Sequence, residues 1–122
     1  GSIQMCLQEL ATAKQYGLPI KVICLNNHYL GMVRQWQELF YGRRYSHTCM
    51  KGQPDFIKIA EAYGHVGIRV EKPEDVEPAL RKAFTDQKDL VFVDIRICRE
   101  ANVFPMVAAG KGLSEIILSE LI

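Results

Sequence analysis

The chain has 122 residues, of which 48% are hydrophobic and 24% are charged, a composition typical of one small globular domain. Its 15 basic and 14 acidic residues nearly cancel, so the charge gives no reason to expect nucleic acid or an anionic membrane as a partner. No apolar run approaches the ~18 residues of a membrane span, and no signal-peptide pattern opens the chain.

Hydrophobic periodicity predicts helices and strands in alternation. Helices are expected over residues 7–16, around Met32, Trp36 and Leu39, from Pro54-Asp55 onward, and from near Asp75. Buried strands are expected over residues 20–25, 66–70 and 90–97. This alternation is typical of an α/β fold, a parallel sheet with helices on both faces. The sheet is expected to be incomplete at its N-terminal side, because the first loop and helix should follow a strand.

Beyond residue 98 the pattern changes. Residues 101–112 lack periodicity and read as an arm, and residues 113–121 are predicted to form a closing amphipathic helix. Residues 1–98 are therefore assigned to the sheet-containing portion of a domain, and residues 99–122 to a C-terminal arm and closing helix.

The spacing of the cysteine and histidine residues does not predict a metal site. The four cysteines contain no C-x-x-C pair, which predicts free thiols in a reducing compartment and neither a disulfide framework nor a zinc site. The three histidines, His28, His47 and His65, share no metal-ligand spacing and are expected at the surface or in loops.

Two asparagines, Asn26 and Asn27, follow the first predicted strand. Ligands of parallel sheets bind beyond the carboxyl ends of the strands, and an amide oxygen suits Mg²⁺ held jointly with a carboxylate and a ligand phosphate. The same pair could simply end the strand, since Asn favours turns. Met32 and Trp36, at i and i+4 on the next helix, likewise fit either a ligand pocket or an ordinary core.

A series of motifs resembles the C-terminal end of the large catalytic subunits of the acetolactate synthase (acetohydroxyacid synthase) family. The resemblance covers essentially the whole chain. Its motifs are Gly1-Ser2-Ile3-Gln4-Met5, Gln8-Glu9-Leu10-Ala11-Thr12-Ala13, Leu25-Asn26-Asn27, Gly31-Met32-Val33-Arg34-Gln35-Trp36-Gln37, Arg44-Tyr45-Ser46-His47, Ala60-Glu61-Ala62-Tyr63-Gly64 and Pro105-Met106.

This resemblance implies a thiamine-diphosphate-binding fold and a set of site residues. The family's cofactor motif is a Gly-Asp-Gly followed further on by Asn-Asn. Gly1 matches its last glycine, and the motif's Asp, a Mg²⁺ ligand, would lie just before residue 1. By the same resemblance Asn27 gives the metal its side-chain oxygen and Tyr29 its backbone carbonyl, and the backbone of Gly1 and Ser2 approaches the diphosphate.

By resemblance, Met32 lies beside the cofactor and Trp36 shapes the pocket for the second 2-ketoacid. Trp36 would bias that pocket towards 2-ketobutyrate, and in this family it also contacts sulfonylurea- and imidazolinone-type herbicides. The implied cofactors are thiamine diphosphate and Mg²⁺, with FAD bound mostly outside this chain. The implied activity decarboxylates pyruvate and condenses it with pyruvate or 2-ketobutyrate, in branched-chain amino-acid biosynthesis.

The resemblance also implies partners. These are the rest of the catalytic subunit and a second catalytic subunit, in a homodimer or tetramer, with a regulatory small subunit as a further candidate. The expected location is the cytoplasm in a bacterium or the plastid in a plant, and the 122-residue chain alone is expected to be inactive.

Two other functions remain open at the level of sequence. One is another thiamine-diphosphate-dependent carboligase or decarboxylase, such as glyoxylate carboligase or sulfoacetaldehyde acetyltransferase, against which Trp36 and Tyr45-Ser46-His47 argue. The other is a non-catalytic α/β fragment that binds a subunit through its sheet edge.

Overall fold

The computed structural model describes residues 1–85 and 88–119. The helices are α1 (Glu9–Gln15), α2 (Gly31–Phe40), α3 (Phe56–Ala62) and α4 (Val76–Thr85), and the strands are β1 (Lys21–Asn26), β2 (Val66–Val70) and β3 (Val91–Arg96). Short 3₁₀ helices span Ser2–Cys6, Pro73–Asp75 and Leu113–Glu115. The predicted order of helices and strands is confirmed. Among the helices of the described residues, none is long and apolar enough to cross a membrane.

The three strands form one parallel sheet in the order β1-β3-β2. Because all three run the same way, their carboxyl ends meet at one edge of the sheet. The register places Cys24 of β1, Asp94 of β3 and Arg69 of β2 side by side. The central strand therefore carries a carboxylate near this edge, flanked by both neighbouring strands.

Two apolar cores cover the two faces of the sheet, which confirms the α/β prediction of helices on both sides. On one face α1 and α3 pack on the sheet, and the buried residues are Leu10, Ala13, Phe56, Ala60, Leu90 and Phe92. On the other face α4 packs on β2 and β3, and the buried residues are Val70, Ala79, Ala83, Val91 and Val93. Side chains alternate across a strand, so Val91 and Val93 face α4 while Phe92 faces α1 and α3.

Local sequence explains how α3 begins and how closely it packs. Asp55 caps the helix, since its Oδ1 accepts hydrogen bonds from the backbone N–H groups of Ile57 (3.0 Å) and Lys58 (3.3 Å). Gly67 allows α3 to lie directly on β2, because a Cβ at that position would come within 2.6 Å of Ile57 Cγ2. Pro78 is the third residue of α4 and so lies in its first turn, as predicted.

The structure corrects the prediction that all three strands are buried on both faces. β3 is buried, but in β1 the side chains of Ile23 and Leu25 are 39% and 64% exposed. The reason is that the core formed with α4 contains residues of β2 and β3 but none of β1. One face of β1 is therefore open in the described chain.

Two further predictions change. His65, expected at the surface or in a loop, is 6% exposed, and its Nε2 lies 2.8 Å from the carbonyl oxygen of Leu10. A carbonyl only accepts, so Nε2 carries the proton and its hydrogen bond links the end of α3 to α1.

The prediction of a closing helix over 113–121 is wrong for the described residues, which hold only the 3₁₀ turn Leu113–Glu115. Ile117 then pairs with Met106, so the arm folds back on itself. Residues 120–122 lie outside the described residues, and the division at residue 98 stays a prediction.

Candidate functional site

Asn26, the last residue of β1, is fully engaged in holding the structure. Its side chain is 5% exposed. Its Nδ2 donates to Asp94 Oδ1 at 2.9 Å, while its Oδ1 accepts from the backbone N–H of His28 at 3.2 Å and from Gln53 Nε2 at 2.9 Å. An amide oxygen has two lone pairs, and both are used. Asn26 is therefore a structural residue of the strand end and has no acceptor left for a metal.

Asn27 is the asparagine with capacity to bind a ligand. It is half-buried, and its Oδ1 accepts one hydrogen bond, from the backbone N–H of Tyr29 at 3.0 Å. That contact closes a tight turn and leaves the second lone pair of the amide oxygen for another partner. Asn26 is therefore a structural residue, whereas the side-chain oxygen of Asn27 is available to bind a ligand.

The backbone carbonyl of Tyr29 is also available to a ligand. An antiparallel bridge pairs Tyr29 with Cys49, and its two hydrogen bonds use the neighbouring residues: Leu30 N–H donates to Thr48 O at 2.9 Å, and Met50 N–H donates to His28 O at 2.7 Å. The bridge therefore holds the turn in place without using the carbonyl of Tyr29. This carbonyl and the Asn27 amide oxygen belong to one short, fixed segment.

A cleft of about 600 Å³ runs along β1 to its carboxyl end. Its lining residues are Gly1, Ser2, Ile3, Cys6, Val22, Ile23, Cys24, Leu25, Asn26, Asn27, Tyr29, Gly31, Gln53 and Phe56. The volume is within the range of sites for small organic ligands, and the wall combines apolar side chains with a few polar groups, as such sites do. The cleft brings together four of the six predicted site residues, namely Gly1, Ser2, Asn27 and Tyr29.

Two glycines let the backbone approach closely at this cleft. A Cβ at Gly31 would lie 2.9 Å from Asn27 Nδ2, and a Cβ at Gly1 would lie 2.8 Å from Leu30 Cδ2. Any larger residue at Gly31 would therefore displace the Asn27 side chain. The glycine fixes the position of the one amide that remains available.

Sequence reasoning missed a buried carboxylate, Asp94, and the two arginines that lie beside it. Asp94 is 0% exposed, and its Oδ2 lies 3.4 Å from Arg96 Nη2 and 3.8 Å from Arg69 Nε. Arg96 also hydrogen-bonds to the ring Nε2 of His28, whose pKa is lowered by burial and by the nearby positive charges of Arg96 and Arg99. A single carboxylate inside the apolar run LVFVDIRI was the signal for this group of charges.

Helix α2 buries its polar side and exposes its apolar side. Arg34 and Gln35 are 8% and 2% exposed, whereas Met32 and Trp36 are 42% and 44% exposed. The ordinary-core alternative for Met32 and Trp36 is therefore wrong within the described chain. Trp36 instead lines two clefts, of about 500 and 430 Å³, and the larger one lies between α2 and residues 106–109 of the arm.

The buried polar side of α2 holds the arm and the preceding loop. Gln35 donates from Nε2 to Val103 O at 2.9 Å and accepts at Oε1 from Val103 N–H at 2.7 Å. Glu38 accepts from Asn102 Nδ2 at 3.1 Å and from the Tyr45 hydroxyl at 2.9 Å, and pairs with Arg34 at 3.0 Å. α2 is therefore the element that joins the strand-end turn, the loop and the arm.

Glu38 is held in its charged form by these contacts. Burial acts to raise its pKa, but the hydrogen bonds from Tyr45 and Asn102 and the positive charges of Arg34 and Arg43 outweigh it. The pKa of Glu38 therefore lies below its usual value. The i, i+4 spacing of Arg34 and Glu38 is a signal for their ion pair, whereas no local pattern indicates the contact with Asn102, 64 residues away.

Among known proteins, residues 1–95 match a family described as thiamine pyrophosphate enzyme, C-terminal TPP binding domain. This chain belongs to the thiamine pyrophosphate enzymes. It carries their C-terminal domain, which binds thiamine pyrophosphate (thiamine diphosphate).

Several relatives of this TPP-binding domain are acetolactate synthase subunits. The chain is 53% identical to the acetolactate synthase large subunit of Haemophilus influenzae and 48% identical to isozyme 3 of Escherichia coli, in each case over 98% of this chain and 21% of the relative. It is 48% identical to the mitochondrial catalytic subunit of Saccharomyces cerevisiae over 95% of this chain and 17% of the relative. The chain thus spans about a fifth of the length of the curated relatives it matches.

A solved structure with the same fold is a thiamine diphosphate-dependent 4-hydroxybenzoylformate decarboxylase from Rhodococcus jostii RHA1. It superposes with a TM-score of 0.67 at 25% identity, covering 78% of this chain and 18% of that one. The thiamine-diphosphate-binding fold predicted from the resemblance is confirmed.

The cleft fits the family's cofactor. It offers an amide oxygen with a free lone pair, a neighbouring backbone carbonyl outside the bridge, and glycine backbone at its wall. Elsewhere in residues 1–85 and 88–119, no three His, Cys, Asp or Glu side chains cluster closely enough to hold a metal. Neutral oxygens such as those of Asn27 and Tyr29 are ligands that suit Mg²⁺ held jointly with a carboxylate and phosphates.

The predicted site residues fall into two places. Gly1, Ser2, Asn27 and Tyr29 line the cleft at the end of β1, whereas Met32 and Trp36 lie on the exposed side of α2 and are not among its lining residues. The individual roles of all six stay predictions. Asp94 hydrogen-bonds to Asn26 at the end of β1, and Gln35 holds the arm to α2. Sequence reasoning did not single out either residue.

Proposed function

We propose that this domain is the C-terminal part of an acetolactate synthase catalytic subunit. The observation that supports this proposal best is that nearly the whole chain matches, at about half identity, large or catalytic subunits of acetolactate synthase from two bacteria and a yeast. In this proposal the full-length protein decarboxylates pyruvate and condenses it with pyruvate or 2-ketobutyrate, in branched-chain amino-acid biosynthesis. The 122-residue chain alone is inactive.

The cleft at the end of β1 would hold thiamine diphosphate and Mg²⁺. Asn27 would bind the metal through its side-chain oxygen and Tyr29 through its backbone carbonyl, while the backbone of Gly1 and Ser2 approaches the diphosphate. When bound, thiamine diphosphate supplies the chemistry that removes CO₂ from a 2-ketoacid and joins the remainder to a second one. FAD, in this proposal, is bound mostly by the rest of the full-length subunit.

The residues of this chain would orient the reactants. Met32 packs beside the cofactor, and Trp36 offers a large apolar face to the second 2-ketoacid. A side chain one methylene longer gains contact with the indole, but one methylene changes binding by only ~1–3 kcal/mol. Trp36 therefore biases the choice towards 2-ketobutyrate without excluding pyruvate. The arm, held to α2 by Gln35, closes one side of the cleft beside Trp36.

The metal role of Asn27 is tested with two variants of the full-length protein. Asn27→Ala removes the oxygen and should greatly weaken Mg²⁺-dependent binding of thiamine diphosphate, measured by calorimetric titration. Asn27→Asp keeps an oxygen ligand and should retain binding. Equal dissociation constants for the wild type and Asn27→Ala would remove Asn27 from the metal site.

The role of Trp36 is tested by competition between the two acceptors. Trp36→Leu should lose the 2-ketobutyrate preference and the herbicide sensitivity while most catalysis is kept. Tyr16→Leu is the matched control, because it removes another exposed aromatic ring, 68% exposed, at the end of α1 and away from the clefts. An unchanged product ratio in Trp36→Leu would exclude Trp36 from the acceptor pocket.

A second candidate is another thiamine-diphosphate-dependent carboligase or decarboxylase, because the fold is shared with a decarboxylase at 25% identity. Product analysis of the full-length protein on pyruvate separates the two: acetolactate supports the synthase, and free acetaldehyde supports a decarboxylase. A non-catalytic interaction fragment would leave both Asn27→Ala and Trp36→Leu without effect.

Assembly and location follow from the same proposal. The partners are the rest of the catalytic subunit and a second catalytic subunit, in a homodimer or tetramer, with a regulatory small subunit as a further partner. No nucleic acid or membrane is involved. The location is the cytoplasm for a bacterial source or the plastid for a plant source. Size-exclusion chromatography of the full-length protein tests the assembly, and a monomer would contradict it.

A further inference from the structure

We propose that Asp94 is a positioning residue for the thiamine diphosphate and Mg²⁺ site: through Asn26 and Arg96 it fixes the turn that carries Asn27 and Tyr29. This inference rests on the proposed function, because it concerns the site that Asn27 and Tyr29 would form.

The burial of Asp94 requires a reason. A carboxylate shielded from water is unfavourable unless charges and hydrogen bonds compensate it, and Asp94 is 0% exposed in the middle of the central strand. Its Oδ1 accepts from Asn26 Nδ2 at 2.9 Å. Among the described residues its Oδ2 has no hydrogen-bond donor, and the positive charges of Arg96 at 3.4 Å and Arg69 at 3.8 Å compensate it. Asp94 does not line the cleft, so it can act on the site only through these neighbours.

The first connection to the turn runs through Asn26. Because Asp94 takes the Nδ2 hydrogen bond, the amide of Asn26 is oriented with Oδ1 towards the turn. That oxygen accepts from the backbone N–H of His28 at 3.2 Å and from Gln53 Nε2 at 2.9 Å. Loss of the Asp94 acceptor would free the amide to rotate and would release the backbone of His28.

The second connection runs through Arg96. Its guanidinium lies between Asp94 Oδ2 and the ring Nε2 of His28. His28 has a φ of +59°, a left-handed conformation that is unfavourable for a non-glycine residue and persists only when neighbours hold it. Both connections therefore end on His28, the residue between Asn27 and Tyr29.

Asp55 is a control carboxylate that distinguishes a positioning role of Asp94 from an effect of its negative charge alone. Asp55 also pairs with Arg69, at 2.6 Å, but its side chain is 32% exposed and it caps α3. Within the described part of the chain, it makes no hydrogen bond or ion pair to Asn26, Arg96 or His28. Asp55→Asn removes one negative charge beside the same arginine and keeps a residue suited to the cap.

The test uses the full-length protein. Asp94→Asn keeps an amide oxygen that can accept from Asn26 Nδ2 but removes the negative charge that holds Arg96. The dissociation constant of thiamine diphosphate at saturating Mg²⁺ should rise about 10–100-fold, the range found when a residue supporting a metal ligand is lost. The value of kcat at saturating cofactor should be largely kept, since Asp94 touches no reactant. Asp55→Asn should bind the cofactor as the wild type does. The exchanged pair Asn26→Asp/Asp94→Asn returns the negative charge to this buried pair and should recover part of the affinity.

A second readout does not depend on activity. In cofactor-free protein, Asp94→Asn should speed hydrogen exchange at the backbone amides of His28 and Tyr29 and leave the β1–β3 ladder protected. Wild-type affinity and exchange in folded Asp94→Asn would overturn the proposal, and so would equal loss of protection along the whole ladder, which indicates a general structural role. If Asp94→Asn does not fold, Arg96→Gln decides: it removes the charged link between Asp94 and His28, and unchanged binding and exchange would refute the proposal.

Failure of this inference is distinguishable from failure of the proposed function. If Asn27→Ala weakens cofactor binding but Asp94→Asn does not, the metal site stands and the role of Asp94 is wrong. If Asn27→Ala binds the cofactor normally, the metal site is wrong, while faster exchange of His28 and Tyr29 in Asp94→Asn still supports control of the turn by Asp94.

Discussion

Gln35 provides a direct test of how the arm is held to α2. Its side chain is 2% exposed and makes two hydrogen bonds to the backbone of Val103, at 2.9 and 2.7 Å. Gln35→Leu keeps a side chain of similar size and removes both, together with the contact between Gln35 Nε2 and Met106 Sδ at 2.9 Å. A hydrogen bond contributes a net ~0.5–1.5 kcal/mol, so docking of the arm should weaken by about 1–3 kcal/mol, or about 5–150-fold in its equilibrium.

Hydrogen exchange measured by mass spectrometry reports this equilibrium. Exchange at Val103, Met106 and Ile117 should accelerate in Gln35→Leu by the same factor, because the N–H groups of all three are engaged only while the arm is folded. The amides of the β1–β3 ladder should be unaffected, since they belong to the core of the sheet.

Gln37→Leu is the matched control on the same helix. Gln37 also makes two side-chain hydrogen bonds, from Nε2 to Ser46 O and from Thr48 Oγ1 to its Oε1, both at 2.9 Å. It holds the loop and not the arm. Gln37→Leu should loosen residues 46–48 and leave Val103 protected. Unchanged exchange at Val103 in Gln35→Leu, or equal loosening of the arm by both variants, would refute the role given to Gln35.

Three other changes follow from the structure. Gly31→Ala places a Cβ 2.9 Å from Asn27 Nδ2, so it should displace this amide and weaken Mg²⁺-dependent cofactor binding about 10-fold or more, measured by calorimetry. Gly67→Ala places a Cβ 2.6 Å from Ile57 Cγ2 and 3.2 Å from its backbone, so it should lower the free energy of unfolding in urea by about 1–3 kcal/mol. Glu38 has a lowered pKa, so the stability it gives to arm docking is present above its unfolded pKa of ~4.3 and is lost as the pH falls through the lower folded value. NMR signals of the arm should therefore shift below about pH 4.3, and Glu38→Gln should abolish that shift.

Gly52→Ala is the control for both glycine variants. A Cβ at Gly52 would meet no atom within 4 Å, and its φ is not in the left-handed region. Cofactor affinity and unfolding free energy should both remain at the wild-type value. A loss in Gly52→Ala equal to that in Gly31→Ala or Gly67→Ala would show that the close contacts are not the cause.

The parts of the fold that depend on local pattern could be read from the sequence. The apolar run of residues 90–97 and the spacing of Phe56, Ile59, Ala60 and Tyr63 identified β3 and α3, because a buried strand and an amphipathic helix each follow a short-range period. The position of Asn27 at the end of β1 was also predictable, since strand ends in parallel sheets meet at one edge.

The supporting contacts could not be read in this way. Asn26 meets Asp94, and Gln35 meets Val103, across 68 residues of sequence in both cases. Neither a helical nor a strand period carries information about partners so far apart. The same reason explains α2: its periodicity indicated an apolar side, but only the arm and the loop decide that Arg34 and Gln35 are the buried ones.

This inverted helix has a consequence for how the protein can diverge. The side chains that fix α2 in place, Gln35 and Glu38, are different from those on its exposed side, Met32 and Trp36. Substitution can therefore exchange the outward apolar residues while the anchoring hydrogen bonds stay intact. The outward surface of this helix can change through single substitutions that do not first unfold the protein.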